Sequence, residues 1–133
     1  MLQMNDPDVS LERVNWLIRA RRHRARYLPA ELFAEPAWDI LLDLLRAELA
    51  QERIAVSSAC VAADVPPTTG LRWLKALVHQ GLVIRQCDMR DARRNFVVLS
   101  PDASQALRRY FREVVEGDSS SSSPPYPPVG GLR

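Results

Sequence analysis

Cysteine is scarce: the 133 residues hold two, Cys60 and Cys87, and these make neither a metal-ligand spacing nor a disulfide framework. Histidine is equally scarce, with His23 in a basic run and His79 at a helix end. Neither has a partner at a spacing suited to catalysis or metal binding, so no catalytic set, metal or cofactor is expected. No apolar run approaches the roughly 18 residues of a membrane span, and the opening MLQMNDPDVS lacks the basic-then-apolar order of an export signal. A cytoplasmic protein with no membrane partner is expected. Lysine is nearly missing as well: Lys75 is the one lysine among eighteen basic residues. Arginine therefore carries the positive charge, and its planar fork suits bidentate contact with phosphate or guanine.

What is present is charge sorted into blocks. Arg19, Arg21, Arg22, Arg24 and Arg26 fall within eight residues that hold no acid. From Glu31 to Glu52 six carboxylates face Arg46 alone, a net of −5, and from Arg53 to Arg94 seven basic residues face three aspartates, a net of +4. A nearly neutral chain sorted in this way presents a basic face to a polyanion and keeps an acidic face in solvent. The Arg19–Arg26 cluster has two readings: Arg21, Arg22 and Arg24 lie along phosphates, or the cluster pairs with the acidic segment of the same or a neighbouring subunit.

The length bounds the chain to one core with decorated ends. Residues 1–29 are expected to hold an N-terminal helix that carries the basic cluster, residues 30–116 the folded domain, and residues 117–133 a disordered tail. That tail has five Ser, four Pro and three Gly among seventeen residues, with almost nothing to bury against the entropy of ordering it. Its PPYPP stretch is a polyproline II pattern.

Apolar spacing predicts a first helix capped at Asp8 or Ser10 and ending near Tyr27, and a central helix from Pro36 to about Gln51. Arg53 to Val56 reads as a short strand and SSACVAAD as a two-turn helix capped by Ser57 or Ser58. A longer helix follows from about Pro67 and stops at Gly81. LVIRQC and NFVVLS flank the polar DMRDARR as a hairpin, and a last helix begins at Ser100–Pro101, with Ala103, Leu107, Tyr110, Phe111 and Val114 on one face. The order is that of a mainly α, α+β winged helix-turn-helix with a hairpin wing and flanking terminal helices. Cys60 and Cys87 read as buried or half-buried thiols.

Short helix, tight turn, longer helix and hairpin together project one helix outward while its predecessor braces it, and a B-DNA major groove about 12 Å wide admits such a helix. With Leu74, Leu77 and Trp73 turned inward, Thr68, Thr69, Arg72 and Lys75 lie outward near the helix start, where threonine meets thymine methyls or phosphate, arginine meets guanine and lysine meets phosphate. In the wing, Arg90, Arg93 and Arg94 converge on a short loop, with Asp91 placed to orient a guanidinium, and such a tip enters a narrow minor groove. Cys87 at the base of the wing admits a redox-sensing reading, because nearby arginines lower a thiol pKa.

The stretch VSSACVAADVPPTTGLRWLKALVHQGLVIRQCDMRDARRNFVVLS resembles the DNA-binding lobe of MarR-type winged-helix transcriptional regulators. ALVHQGLVIRQ, DMRDARR and VVLS carry most of the likeness. The resemblance implies a transcriptional regulator that binds double-stranded DNA as a homodimer through terminal helices, with Asp91 and Arg93 matching the wing Asp-x-Arg element whose arginine enters the minor groove. Two positions depart from that pattern: Pro66 stands where a small or polar residue is usual, and Gly70 lies inside the proposed recognition helix at a cost of about 1 kcal/mol relative to alanine. No small-molecule effector is indicated by any residue. The alternative reading is a winged-helix module for protein contact, docking through Trp16, Trp38 or the terminal helices.

Overall fold

A computed structural model describes residues 9–29, 35–91 and 93–116. The tail at 117–133, the first eight residues and the proposed Asp8 cap lie outside the described residues. Helix α1 spans Leu11–His23 and continues as a single 3₁₀ turn, Arg24–Arg26. Ser10 caps α1, its hydroxyl accepting from the Arg13 N–H at 3.1 Å, which satisfies one of the orphan donors of the first turn. Helix α2, Pro36–Ala50, starts on a proline, where the missing N–H costs nothing. It closes with Gln51 in the left-handed region (φ 60°) and with Gln51 and Glu52 N–H groups donating to the carbonyls of Glu48 and Ala47.

Strand β1 is only Ile54–Ala55, and α3 follows at once as Val56–Ala62. Val56 belongs to the helix rather than to the strand, and the expected Ser57 or Ser58 cap is replaced by Ala55, which offers no side-chain bond. Helix α4 is Pro67–His79. Its end is the predicted glycine stop: Gly81 has φ 79°, and the N–H groups of Gly81 and Leu82 donate to the carbonyls of Val78 and Leu77, both at 3.0 Å, which completes a Schellman closure.

Strands β2 (Val83–Cys87) and β3 (Asn95–Leu99) form the hairpin, and the antiparallel sheet runs β1-β3-β2. Val83 pairs with Leu99 and Cys87 with Asn95. β2 is therefore an edge strand, and only its first residue is buried. Ser100 caps α5, Pro101–Tyr110, by accepting from the Ala103 N–H at 3.1 Å, and a π-helical turn, Phe111–Glu116, follows.

The core is one cluster in which Val14 of α1, Ile40, Leu42 and Leu45 of α2, Leu74 of α4, Val83 and Val97 of the sheet and Phe111 are essentially sealed from solvent. One polar clamp ties α2 to α5 beside it. The Ser104 hydroxyl donates to Glu48 Oε2 at 2.5 Å, Arg108 Nη2 donates to the same oxygen at 2.6 Å, and Arg108 Nε donates to Ser104 Oγ at 3.1 Å. Glu48→Gln is expected to lower stability by about 1 kcal/mol, since it removes the charge but keeps an acceptor. Chemical denaturation checks this, and an unchanged midpoint would show the clamp to be a surface pair of no consequence.

Candidate nucleic-acid interface

Helix α4 divides by its own periodicity. Leu74 and Leu77 face the core as expected, but Trp73 does not: it is 42% exposed. The third inward position is Gly70, which is buried. A Cβ at Gly70 would lie 2.9 Å from the carbonyl oxygen of Cys60, so the glycine lets α4 cross the backbone of α3 at close range. The helix-propensity cost at this position is thus the condition for the brace. Opposite it, Thr68, Arg72 and Lys75 are exposed and Thr69 is half-buried. Offsets of four and three residues place the first three of these on one outward stripe.

The tip of the hairpin is held by its own backbone. Asp88 N–H donates to the Arg94 carbonyl at 3.0 Å, and Arg94 N–H donates to the Asp91 carbonyl at 2.9 Å. Two aspartates reinforce it: Asp88 Oδ1 accepts from Arg90 N–H at 2.8 Å, and Asp91 Oδ1 accepts from both the N–H (3.1 Å) and Nε (3.2 Å) of Arg93. The Arg93 hydrogen bonds hold the Asp91 carboxyl below its ordinary range. Arg90 is exposed, and the Arg93 and Arg94 side chains are 92% and 62% accessible. Arg94 lies over the Phe96 ring at 5.3 Å, and Arg53 over the same ring at 3.7 Å. Arg53 was not singled out in the sequence; nothing local marks it, since only the fold sets it on Phe96.

The helix and the wing flank one groove. A cavity of about 930 Å³ is lined by Val61, Pro67 and Leu71 on the helical side and by Arg93, Arg94 and Phe96 on the wing side. Much of its lining comes from α3 and the turn that follows; α4 contributes Pro67 and Leu71, and Thr68, Thr69, Arg72 and Lys75 are not part of it.

The Arg19–Arg26 cluster is only partly available. Arg21 follows the second of its two readings, donating to Asp39 at 2.9 and 3.1 Å and pairing with Glu35 at 2.6 Å within the same chain, with its side chain 13% exposed. Burial raises the Asp39 carboxyl, and Arg21 offsets part of that rise. Arg22 is exposed and reaches the Ala62 carbonyl at 3.5 Å, while Arg24 Nε donates to the Arg21 carbonyl at 3.0 Å. Of the cysteines, Cys60 is buried as expected, and burial pushes its thiol up. Cys87 is exposed, its Sγ 3.2 Å from Asn95 Oδ1, which corrects the half-buried reading. Every residue of β2 after Val83 is exposed, Cys87 among them.

Among the described residues no group of three His, Cys, Asp or Glu could hold a metal, and no helix is long and apolar enough to cross a membrane. This arrangement of brace helix, projecting helix and wing recurs in MepR of S. aureus in its DNA-binding conformation, at 18% identity and TM-score 0.53, over 80% of each chain. The chain shares the winged-helix fold of MepR. A MepR mutant from a multidrug-resistant S. aureus clinical isolate superposes comparably, at 18% identity and TM-score 0.54, over 80% of this chain and 79% of the other. The MarR-type resemblance read from residues 56–100 therefore holds at the level of the fold. No family model matches the sequence, and the search of curated proteins gave no match.

Proposed function

We propose that the protein is a sequence-specific transcriptional regulator that binds double-stranded DNA as a homodimer, with α4 in the major groove and the arginine wing in the adjacent minor groove. The observation that carries this reading is the exposed stripe of Thr68, Arg72 and Lys75 on α4 together with the exposed Arg90, Arg93 and Arg94 of the wing, polar and basic side chains on the projecting helix and the hairpin of one winged-helix fold. The MepR fold, captured in a DNA-binding conformation, adds support. In this reading Arg72 contacts base edges, Thr68, Thr69 and Lys75 contact backbone or thymine methyls, Arg90, Arg93 and Arg94 enter the minor groove with Asp91 as orienter, and Arg22 and Arg24 approach flanking phosphates.

Selection of bound sequences from random duplexes tests it. Two half-sites about one helical turn apart are the expected result, reporting a two-fold dimer. Arg72→Ala is then expected to relax preference at one position by about 1–3 kcal/mol of discrimination, read by competition between matched and single-substitution duplexes. Unchanged preference removes Arg72 from base recognition.

The second reading, a protein-contact module, draws on one observation. Trp16 is half exposed, and Trp73, Trp38 and Tyr110 line a separate cleft, with Trp38 and Tyr110 edge-to-face at 5.3 Å. No enrichment in the selection favours that reading.

A further inference from the structure

We infer that Met89 is an apolar wedge that inserts between base steps of the minor groove and bends the DNA the wing grips, an inference that rests on the DNA-binding reading above. Met89 is 99% exposed, the most exposed large apolar side chain described. It sits between Asp88 and Arg90 at the hairpin tip. Among the described residues no packing accounts for it.

Its surroundings define what it meets. The backbone on either side is pinned by the Asp88–Arg94 and Asp91–Arg94 bonds and by the two aspartate-to-arginine N–H contacts. The point is therefore presented without a large further loss of chain entropy on binding. The same hairpin loop carries Arg90, Arg93 and Arg94, all exposed. An exposed apolar side chain on a loop that also carries three exposed arginines is complementary to an apolar slot walled by anions. A base step opened between two phosphate rows is such a slot, and its stacked faces suit the unbranched, polarisable thioether of methionine. The arginines supply attraction to the narrow groove, and the methionine supplies the insertion that unstacks one step.

The consequence is mechanical. A wing carrying only arginine lies in the groove and leaves the duplex nearly straight, whereas a wing with a wedge kinks it toward the major groove by roughly 20–90°. Flexible pyrimidine–purine steps are then preferred under the wing without any hydrogen bond to their edges.

The test uses the full chain and a selected duplex on the order of 30 base pairs, labelled at both ends for energy transfer. The parent protein is expected to shorten the end-to-end distance. Met89→Ala is expected to bind within about tenfold of the parent yet leave the duplex straight, and Met89→Leu to restore the bend. Since Met89 is fully exposed, both variants are expected to unfold at the parental temperature, which separates the effect from loss of fold. Binding by the parent without bending, or equal bending by Met89→Ala, overturns the wedge and leaves the DNA-binding reading standing. Failure of the parent to bind any duplex overturns both. Loss of binding to phosphatidylserine vesicles in Met89→Ala, with DNA bending intact, would assign the tip to a membrane surface and likewise overturn the wedge.

Discussion

Gly70→Val is expected to cost about 3 kcal/mol or more and to lower the melting temperature by at least roughly 10 °C, because the added carbons meet backbone that has no rotamer to yield. The contact is the Cys60 carbonyl, 2.9 Å from the position of the first added carbon. The sharper case is Gly70→Ala. Intrinsic propensity assigns it a gain of about 1 kcal/mol in a helix interior, and the geometry assigns it a loss, since α4 must retreat from α3 by several tenths of an ångström. Retreat also tilts the outward stripe of Thr68, Arg72 and Lys75 relative to the wing. Urea denaturation of the two variants decides between these terms: a more stable Gly70→Ala protein would falsify the close-approach account.

The second large effect concerns charge. Replacing Arg90, Arg93 and Arg94 together with alanine is expected to weaken duplex binding on the order of a hundredfold, at about 1 kcal/mol for each lost charge-assisted contact. It is also expected to flatten the plot of log affinity against log salt by about 2.7, three times the roughly 0.9 released per neutralised phosphate. Their high exposure makes the triple variant harmless to the core, so its melting temperature is expected to stay near that of the parent. A slope unchanged by the substitution would move the phosphate contacts off the wing and onto Arg22, Arg24 or Arg53. Affinity and slope falling together, with base preference intact, is the pattern of a wing that grips without reading.

The helix order, the Pro67 start, the Gly81 stop and the hairpin of residues 83–99 were legible because each is announced by residues adjacent in the chain. Proline at a helix start and glycine in the left-handed region are local physics, and the alternation in NFVVL is too. Trp73 and Gly70 escaped for the opposite reason, and the choice between the two readings of Arg21 stayed open for it too. Whether α4 turns Trp73 or Gly70 toward α3 depends on how closely two helices approach, which periodicity leaves open when both residues lie near the boundary of the apolar stripe. Arg21 stood in a run of five arginines with nothing local to distinguish it. Only the docking of α1 on α2 brings Asp39 and Glu35 to it. The start of α3 moved one or two residues ahead of its serines because β1 ends after two residues, leaving Ala55 in extended geometry as the cap. Met89 was hidden in plain sight, as one apolar letter in a polar loop whose exposure no neighbouring residue reveals.

Among the described residues the sheet order β1-β3-β2 leaves β2 with an open side. Its backbone could template another strand, and Ile84, 42% exposed, adds an apolar handle. Arg85, exposed at the middle of the strand, is the guard against this: a charged side chain there makes stacking of a second chain along the edge unfavourable. An exposed arginine at the middle of the open edge thus disfavours growth of the sheet by addition of another strand.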